Sequence, residues 1–283
     1  MEKFIVLRNN LIDPMKWDEA VIRNQGLPYQ LFEYLNASSL NGWNGIIFGD
    51  YLKVFPFFSN KKFGIPYVYM PQSIQQFSNQ CFTESEWHAV LKYLERRYLK
   101  IAIRVSDYGN SSSLKKQNYI LQKNETENAS NFYSSLLKRN INKSKILSIT
   151  TKRFELEDFD FIFSQKYYQN SIKKDIFYHF YNNLKSNLKL YQSFYYGALV
   201  AQLLTVRILN RETLLMPASN EIGRTTQAMS GLINEVIQNS DAKIIDFEGS
   251  SIASIAHFYK QFGAKEITYF ELNYWSLFGI KFP

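Results

Sequence analysis

The sequence predicts an α/β protein in which one arrangement of mixed sheet and flanking helices occurs twice. The length of 283 residues favours two compact domains of about 140 residues, although one larger domain also fits it. The composition, 46% apolar and 20% charged, is that of a packed globular chain. The third observation is that the succession of predicted elements in the first half recurs in the second half without sequence similarity.

The first half begins with a strand and two helices and continues mainly with strands. Asp13 is placed to N-cap a helix whose first position is Pro14, and Thr83 with Glu86 forms a capping box. Gly49 and Asp50 favour a hairpin turn. The predicted elements are a strand at 4–7, helices at 14–23 and 29–35, strands at 45–48, 51–57 and 67–70, a helix at 84–97, and strands at 100–105 and 118–122, the last two separated by a polar turn at 107–116.

The second half has clearer periodicity. Apolar residues from Ile176 to Leu184 recur at the spacing of one helical face, and Gly263 marks a helix end. The predicted elements are a helix at 129–146 with a basic end, a strand at 146–151, helices at 155–169 and 173–187, strands at 188–195, 198–209 and 213–216, a helix at 223–238, a strand at 243–247, a helix at 251–262 and a strand at 267–272.

The order β-α-α-β-β-β-α-β-α-β therefore describes the second half after its first helix. The first half follows the same order, except that the polar turn at 107–116 stands where the last helix would be. This order predicts two tandem domains, 1–126 and 127–283, with the boundary near residues 125–129 and a mixed twisted sheet in each. A chance match between two coarse strings of elements is the alternative explanation.

Composition removes several classes of site and partner. Cys81 is the only cysteine, so no internal disulfide exists, and the histidines His88, His179 and His257 lack metal-ligand spacing, so no metal site is expected. No apolar run approaches the roughly 18 residues of a membrane span, and no signal peptide is evident, which predicts a cytoplasmic protein. The net charge of +8 leaves nucleic acid, a phosphorylated cofactor and an anionic surface open as partners.

Residues 255–264, IAHFYKQFGA, resemble the late helix of the GNAT superfamily of N-acyltransferases, usually written A-x-x-L-Y-x-x-x-G-F. Tyr259 matches the tyrosine and Gly263 the glycine of that pattern, whereas Ala264 replaces its final Phe. Residues 224–229, RTTQAM, are similar to the acyl-CoA loop R/Q-x-x-G-x-G/A, but Gln227 and Met229 replace glycines that let backbone amides approach a pyrophosphate.

Other segments look like one branch of that superfamily, the FemABX-type aminoacyltransferases and related bacterial tandem GNAT proteins. These segments are the basic helix around 138–140, DFEGS at 246–250, YMP at 69–71 and QQ at 75–76. The resemblance covers most of the chain. It implies two tandem GNAT-like domains in a bacterial protein.

The resemblance also implies a reaction. The expected donor is an acyl-CoA such as acetyl-CoA, as a co-substrate, or an aminoacyl-tRNA, and the acceptor is the amine of a small molecule or a peptide. The donor carbonyl would lie in a splay between strands near 214–216 and 244–247. Tyr259 would protonate the leaving group, and Glu248 would accept the amine proton. The expected donor-binding residues are Met216, Ala218, Ser219, Asn220, Arg224, Thr225, Thr226, Gln227 and Ser250.

Each of these roles has a structural alternative. Tyr259 equally suits an aromatic that fills a helix–sheet interface, and Glu248 suits a solvated or salt-bridged carboxylate. Capping and surface solvation explain the polar residues of 219–225 as well as phosphate binding does. The rival function is a catalytically inactive GNAT-like module that binds a peptide, a lipid-linked precursor or RNA, and the missing loop glycines favour it. The sequence leaves the oligomeric state open.

Overall fold

The computed structural model describes residues 4–107, 113–123, 129–171, 173–249, 252–277 and 280–282. Contacts divide the chain into two compact units. Unit 1 comprises Met1–Lys116 and Thr268–Pro283, and unit 2 comprises Gln117–Ile267. The predicted domain boundary after residue 126 lies outside the described residues. In the described part of the chain, no helix has both the length and the apolar character of a membrane span.

The elements up to residue 122 begin with a strand and two helices, and three strands, a helix and two strands follow. Asp13 accepts hydrogen bonds from the amides of Met15 and Lys16, and Thr83 and Glu86 form the predicted capping box. The strands are β1 (Phe4–Arg8), β2 (Asn44–Phe48), β3 (Lys53–Lys62), β4 (Ile65–Tyr69), β5 (Lys100–Val105) and β6 (Leu114–Gln122); the helices are α1 (Pro14–Arg23), α2 (Phe32–Ala37) and α3 (Glu84–Arg97).

The later elements follow the predicted order, with helices that are shorter than predicted. Ser134 N-caps the first of these helices through the amide of Leu137. The helices are α4 (Ser135–Ser144), α5 (Phe159–Phe163), α6 (Lys166–Ser171), α7 (Lys174–Leu184), α8 (Glu221–Thr225), α9 (Ala228–Asn239) and α10 (Ala253–Lys260); the strands are β7 (Ser148–Arg153), β8 (Leu188–Tyr195), β9 (Ala198–Ile208), β10 (Arg211–Ser219), β11 (Ile244–Asp246), β12 (Lys265–Leu277) and β13 (Ile280–Phe282).

The two units have sheets of the same design. Unit 1 has the order β1-β2-β3-β4-β5-β12, in which β4 and β5 are parallel and the other neighbours antiparallel. Unit 2 has the order β7-β8-β9-β10-β11-β6, in which β10 and β11 are the parallel pair. Each sheet ends on a strand from the other half of the sequence. The prediction of one mixed α/β fold used twice is confirmed.

Several predicted boundaries were wrong because polar or bent segments carry no periodic signal. The third strand extends through the polar residues 59–62, and β6 begins within the segment predicted as a turn at 107–116. The helix predicted at 155–169 is interrupted, because the Ser164 hydroxyl bonds to the carbonyl of Phe161 and the chain leaves the helix there. The helix predicted at 223–238 is two helices, separated at Thr226 and Gln227.

The parallel pair of unit 2 is held by a buried ion pair. The carboxylate of Asp246 on β11 is fully buried, and the Arg211 guanidinium on β10 donates to it at 2.5 Å. Isolated buried charge is costly, so each group needs the other. The pair therefore fixes the register of β10 against β11, in which Arg211 faces Ile244 and Thr213 faces Asp246.

We expect Asp246→Ala to lower the free energy of unfolding by about 3 kcal/mol, because it leaves the Arg211 charge poorly solvated. Urea denaturation of the purified protein measures this. The matched control is Asp241→Ala, since Asp241 pairs with Arg207 in a largely exposed position where ion pairs contribute little. Equal midpoints for the two variants would contradict a structural role for the buried pair.

Candidate functional site

The two parallel strands of unit 2 separate after a short paired stretch. β10 and β11 pair over three positions, Arg211 to Thr213 against Ile244 to Asp246. β10 then continues to Ser219 along β9, with an irregularity between Leu214 and Met216, while β11 ends. Among the described residues, no strand lies beside 214–219 on the side that β11 has left. The result is a splay with backbone groups along one edge, in the predicted position.

Glu248 stands at the open end of β11. The amide of Phe247 donates to the carbonyl of Tyr119 at 2.9 Å, and the amide of Glu248 donates to Asp246 Oδ1 at 2.9 Å. Glu248 has a φ of 57°, a left-handed conformation that is unfavourable for residues other than glycine. The buried Asp246 thus turns the chain and holds the Glu248 carboxylate, which is half-buried, at the splay.

Tyr259 lies on α10 among aromatic side chains. Its ring centroid is 5.1 Å from that of Phe247, 6.0 Å from that of Tyr119 and 6.1 Å from that of Phe258. Burial raises the pKa of the Tyr259 phenol, and the negative charge of Glu248 raises it further. At neutral pH the phenol is therefore protonated, and it can donate a proton but cannot serve as a base.

A second tyrosine, Tyr168 on α6, reaches the same place. Its hydroxyl donates to the carbonyl of Pro217 on the unpaired part of β10 at 3.0 Å. Burial raises the pKa of Tyr168, and the nearby Tyr167, Tyr259 and Glu248 raise it further. Sequence reasoning missed Tyr168 because nothing in its helix distinguishes it from the neighbouring Tyr167. Tyr168 thus contacts the edge of the splay, and Tyr259 and Glu248 are near enough to raise its pKa.

The polar side chains after β10 are used for local hydrogen bonds. Asn220 Oδ1 accepts from the amide of Gly223 at 2.9 Å and so caps α8, while Arg224 Nη1 donates to the carbonyl of Ser219 at 2.8 Å. The hydroxyls of Thr225 and Thr226 both donate to the carbonyl of Ile222. Capping, the structural alternative, accounts for the contacts these side chains make. Their predicted role in donor binding stays a prediction.

Other predicted donor-binding residues lie along the same edge. Met216 pairs with Leu204 and Ala218 with Gln202, so both belong to the part of β10 that extends beyond β11. Met229 is half-buried and packs against the core of unit 2. Ser250 lies outside the described residues.

Gln227 adopts a left-handed backbone conformation, which glycine reaches without strain. Its φ is 60° and its ψ is 34°, which is the left-handed region, and it precedes the first turn of α9. The amide of Ser230 donates back to its carbonyl at 3.0 Å. The chain therefore makes the turn at the start of α9 without glycine, at the cost of backbone strain.

The corresponding gap in unit 1 is filled by the chain itself. β4 and β5 pair only at Tyr67 and Val68, but Phe77 then returns beside β5 as a parallel bridge to Val105. The amide of Phe77 donates to the carbonyl of Arg104 at 2.9 Å, and the amide of Ser106 donates to the carbonyl of Phe77 at 2.9 Å. Phe77 is fully buried. The open splay is therefore a feature of unit 2, not unit 1.

No family model and no curated protein matches the chain by sequence. Solved structures do match it, among them that of FemX, with a TM-score of 0.64 and 12% identity over 94% of this chain and 96% of that one. The chain has the tandem GNAT fold of the FemABX type. A tandem GNAT protein from the clavulanic acid biosynthesis pathway shares this fold with a TM-score of 0.54 and 8% identity over 96% of this chain and 98% of that one.

Another matching structure is the C-terminal domain of a putative lysylphosphatidylglycerol synthetase from Agrobacterium fabrum. It has a TM-score of 0.55 and 8% identity over 92% of this chain and 90% of that one. The TM-scores of these matches show the shared fold. Sequence identities of 8–12% leave the reaction to be argued from the site. The predicted family resemblance and fold class are thus confirmed.

We expect Gln227→Gly to leave the free energy of unfolding unchanged or to raise it, because glycine adopts a φ of 60° without strain. The control, Lys92→Gly, places glycine at an exposed position inside α3, where it should cost about 1 kcal/mol. Thermal unfolding compares the two variants. A loss in Gln227→Gly as large as in the control would contradict the left-handed turn at Gln227.

Proposed function

We propose that this protein is an N-acyltransferase that moves an acyl group, acetyl or aminoacyl, from acyl-CoA or aminoacyl-tRNA to an amine. The donor carbonyl would lie in the splay of unit 2, between β10 and the end of β11. The observation that carries this proposal is the set of side chains around that splay. Tyr168 bonds to Pro217 on its β10 edge, Glu248 follows the end of β11, and the Tyr259 ring lies 5.1 Å from that of Phe247.

Acyl transfer to an amine requires a group that accepts a proton and a group that donates one. The attacking amine loses a proton and the leaving thiolate or ribose oxygen gains one. Tyr259 is protonated at neutral pH and so has a proton to give, although burial and the charge of Glu248 raise its pKa and make the phenol a weaker acid. Glu248, after the end of β11, would accept the proton of the amine. No covalent intermediate on the protein is needed.

Backbone groups of unit 2 would also bind the donor. The backbone groups of β10 in 214–219 that have no partner yet would meet the amides of a carrier chain and a developing oxyanion. The carbonyls of Pro217 and Ser219 are already bonded to Tyr168 and Arg224, and Pro217 has no amide hydrogen. The start of α9 presents backbone amides at the positive end of a 12-residue helix, which favours a phosphate group. The left-handed Gln227 supports this use of the loop, because the chain keeps the turn of the glycine pattern.

The second candidate is a catalytically inactive module with the same fold, which holds a peptide, a lipid-linked precursor or RNA. Met229 favours this candidate, because its side chain packs against the core of unit 2 at a loop position where the family has glycine. The hydrogen bonds that occupy Arg224, Thr225 and Thr226 favour it as well.

Substitution of Tyr259 separates the two candidates. We expect Tyr259→Phe to lower turnover by about 10²-fold or more, because the leaving group loses its proton donor, while the ring contacts and the folded state persist. The assay incubates the protein with acetyl-CoA, longer acyl-CoAs or charged tRNA and a panel of amines. The control is Tyr119→Phe. In the wild type the ring of Tyr119 contacts that of Tyr259, but the Tyr119 hydroxyl donates to Gln117 at 3.0 Å.

Donor binding is followed in parallel by thermal shift. Equal turnover in Tyr259→Phe and wild type would remove Tyr259 from the mechanism. A protein that neither binds nor consumes any of these donors would favour the inactive binding module.

Ionisation of the Tyr259 phenol tests the link between Glu248 and Tyr259. A negative charge nearby disfavours the phenolate and raises the pKa of Tyr259, so neutralising it lowers that pKa. We expect the Tyr259 phenol to ionise at lower pH in Glu248→Gln than in the wild type, followed as the phenolate absorbance that Tyr259→Phe removes in each background. The control variant Glu266→Gln removes a carboxylate that acts on Tyr119 instead. An unchanged ionisation of Tyr259 in Glu248→Gln would contradict the electrostatic link between the two residues.

A further inference from the structure

The hairpin between β3 and β4 in unit 1 has an aromatic residue at its tip. Lys62 pairs with Ile65, so the loop is the two residues Phe63 and Gly64, with φ angles of 51° and 80°. Positive φ at both positions makes a type I′ turn, whose first position favours Asn, Asp or Gly. Phe63 is 93% exposed there. Neither local conformation nor packing within the chain explains a strained phenylalanine in water.

Basic and apolar side chains lie at this tip and farther along the same sheet. Lys62 Nζ lies 5.8 Å from the centroid of the Phe63 ring, and Ile65 is exposed. Lys100 on β5 pairs with Tyr67 of β4 on one side and with Trp275 of β12 on the other, and its Nζ lies 5.0 Å from the centroid of the Trp275 ring. We call the following residues the aromatic-basic patch: Lys61, Lys62, Phe63, Ile65, Lys100 and Trp275.

The charge of the hairpin tip is uncompensated. The segment 59–67, SNKKFGIPY, contains two lysines and no carboxylate. In the described part of the chain, neither Lys61 nor Lys62 forms an ion pair. Lysines gain most from a negatively charged surface, and exposed Phe and Trp side chains gain from the boundary between headgroups and hydrocarbon. The two properties coincide at an anionic lipid surface.

We propose that the aromatic-basic patch docks unit 1 onto an anionic lipid surface, with Phe63 and Ile65 entering the headgroup region. The shape of the tip favours lipid over RNA. Single-stranded nucleic acids bind in basic grooves whose aromatic rings serve as stacking platforms. Phe63 instead stands at the end of a hairpin, next to a glycine whose Cβ position has nothing within 4 Å. The proposal is independent of the acyltransferase proposal, since it uses none of the same residues.

Vesicle sedimentation tests the docking directly. We expect the full chain to bind vesicles of equal parts phosphatidylglycerol and phosphatidylcholine, to ignore pure phosphatidylcholine, and to dissociate as salt rises. Replacing both Lys61 and Lys62 with Gln should weaken partitioning by about 30-fold, or about fivefold for each lysine. Phe63→Asn should weaken it by about tenfold or more, while suiting the type I′ turn and so preserving the fold.

The chain offers a matched control for Phe63→Asn. Tyr196 and Gly197 form the same kind of loop between β8 and β9, with φ angles of 47° and 81°, and Tyr196 is 92% exposed. That loop has no lysine among its flanking residues 194–199. Tyr196→Asn therefore removes an equally exposed aromatic ring from an equally strained turn, and we expect its vesicle binding to equal that of the wild type.

Tryptophan fluorescence locates the contact. Trp17, Trp43 and Trp87 are buried, whereas Trp275 is 44% exposed, so brominated phosphatidylglycerol should quench Trp275 selectively. Trp275→Phe should abolish that quenching. Failure to prefer anionic vesicles, or equal binding by Phe63→Asn and Tyr196→Asn, would overturn the proposal. Binding of single-stranded RNA that is lost in the lysine variants, without vesicle binding, would assign the patch to nucleic acid instead.

Discussion

The candidate site depends on the buried contact between Arg211 and Asp246. This ion pair joins β10 to β11 where the two strands run parallel, and the pairing ends at Asp246. The other oxygen of the same carboxylate accepts the amide of Glu248 and supports the left-handed turn there. One buried carboxylate thus sets the strand register, the point at which the strands part, and the position of the acid at the opening.

Each unit contains a parallel strand pair, but the gap beside the pair is filled in unit 1 and open in unit 2. In unit 1 the chain after β4 returns as Phe77 and satisfies the backbone of β5. In unit 2 the chain after β10 departs into α8 and α9, and Tyr168 occupies one carbonyl of the exposed edge. An edge with unsatisfied backbone groups is where a ligand with amides gains most. The two copies of the fold therefore differ in whether the edge beside the parallel strands is open to a ligand.

The aromatic content of 17% divides into groups with different roles. Most of the largest rings, such as Phe55 and Trp17, are buried and hold the core together. Tyr168 is buried and Tyr259 is partly buried, and burial raises the pKa of both phenols. Phe63 and Tyr196 project from strained turns into solvent. A single composition value thus combines rings of the core, phenols near the splay and rings exposed at turns.

The sequence by itself determined the fold class, the repeated order of elements and the helix caps at Asp13 and Thr83, because apolar periodicity and capping are local properties. It also placed Tyr259 and Glu248 near a strand splay, although only through resemblance. Tertiary structure alone decided that Tyr168 joins them, that Phe77 fills the gap in unit 1, and that each sheet ends on a strand from the other half of the sequence. These contacts join residues far apart in the chain, and the free energy that selects them comes from burial and pairing that no local pattern records.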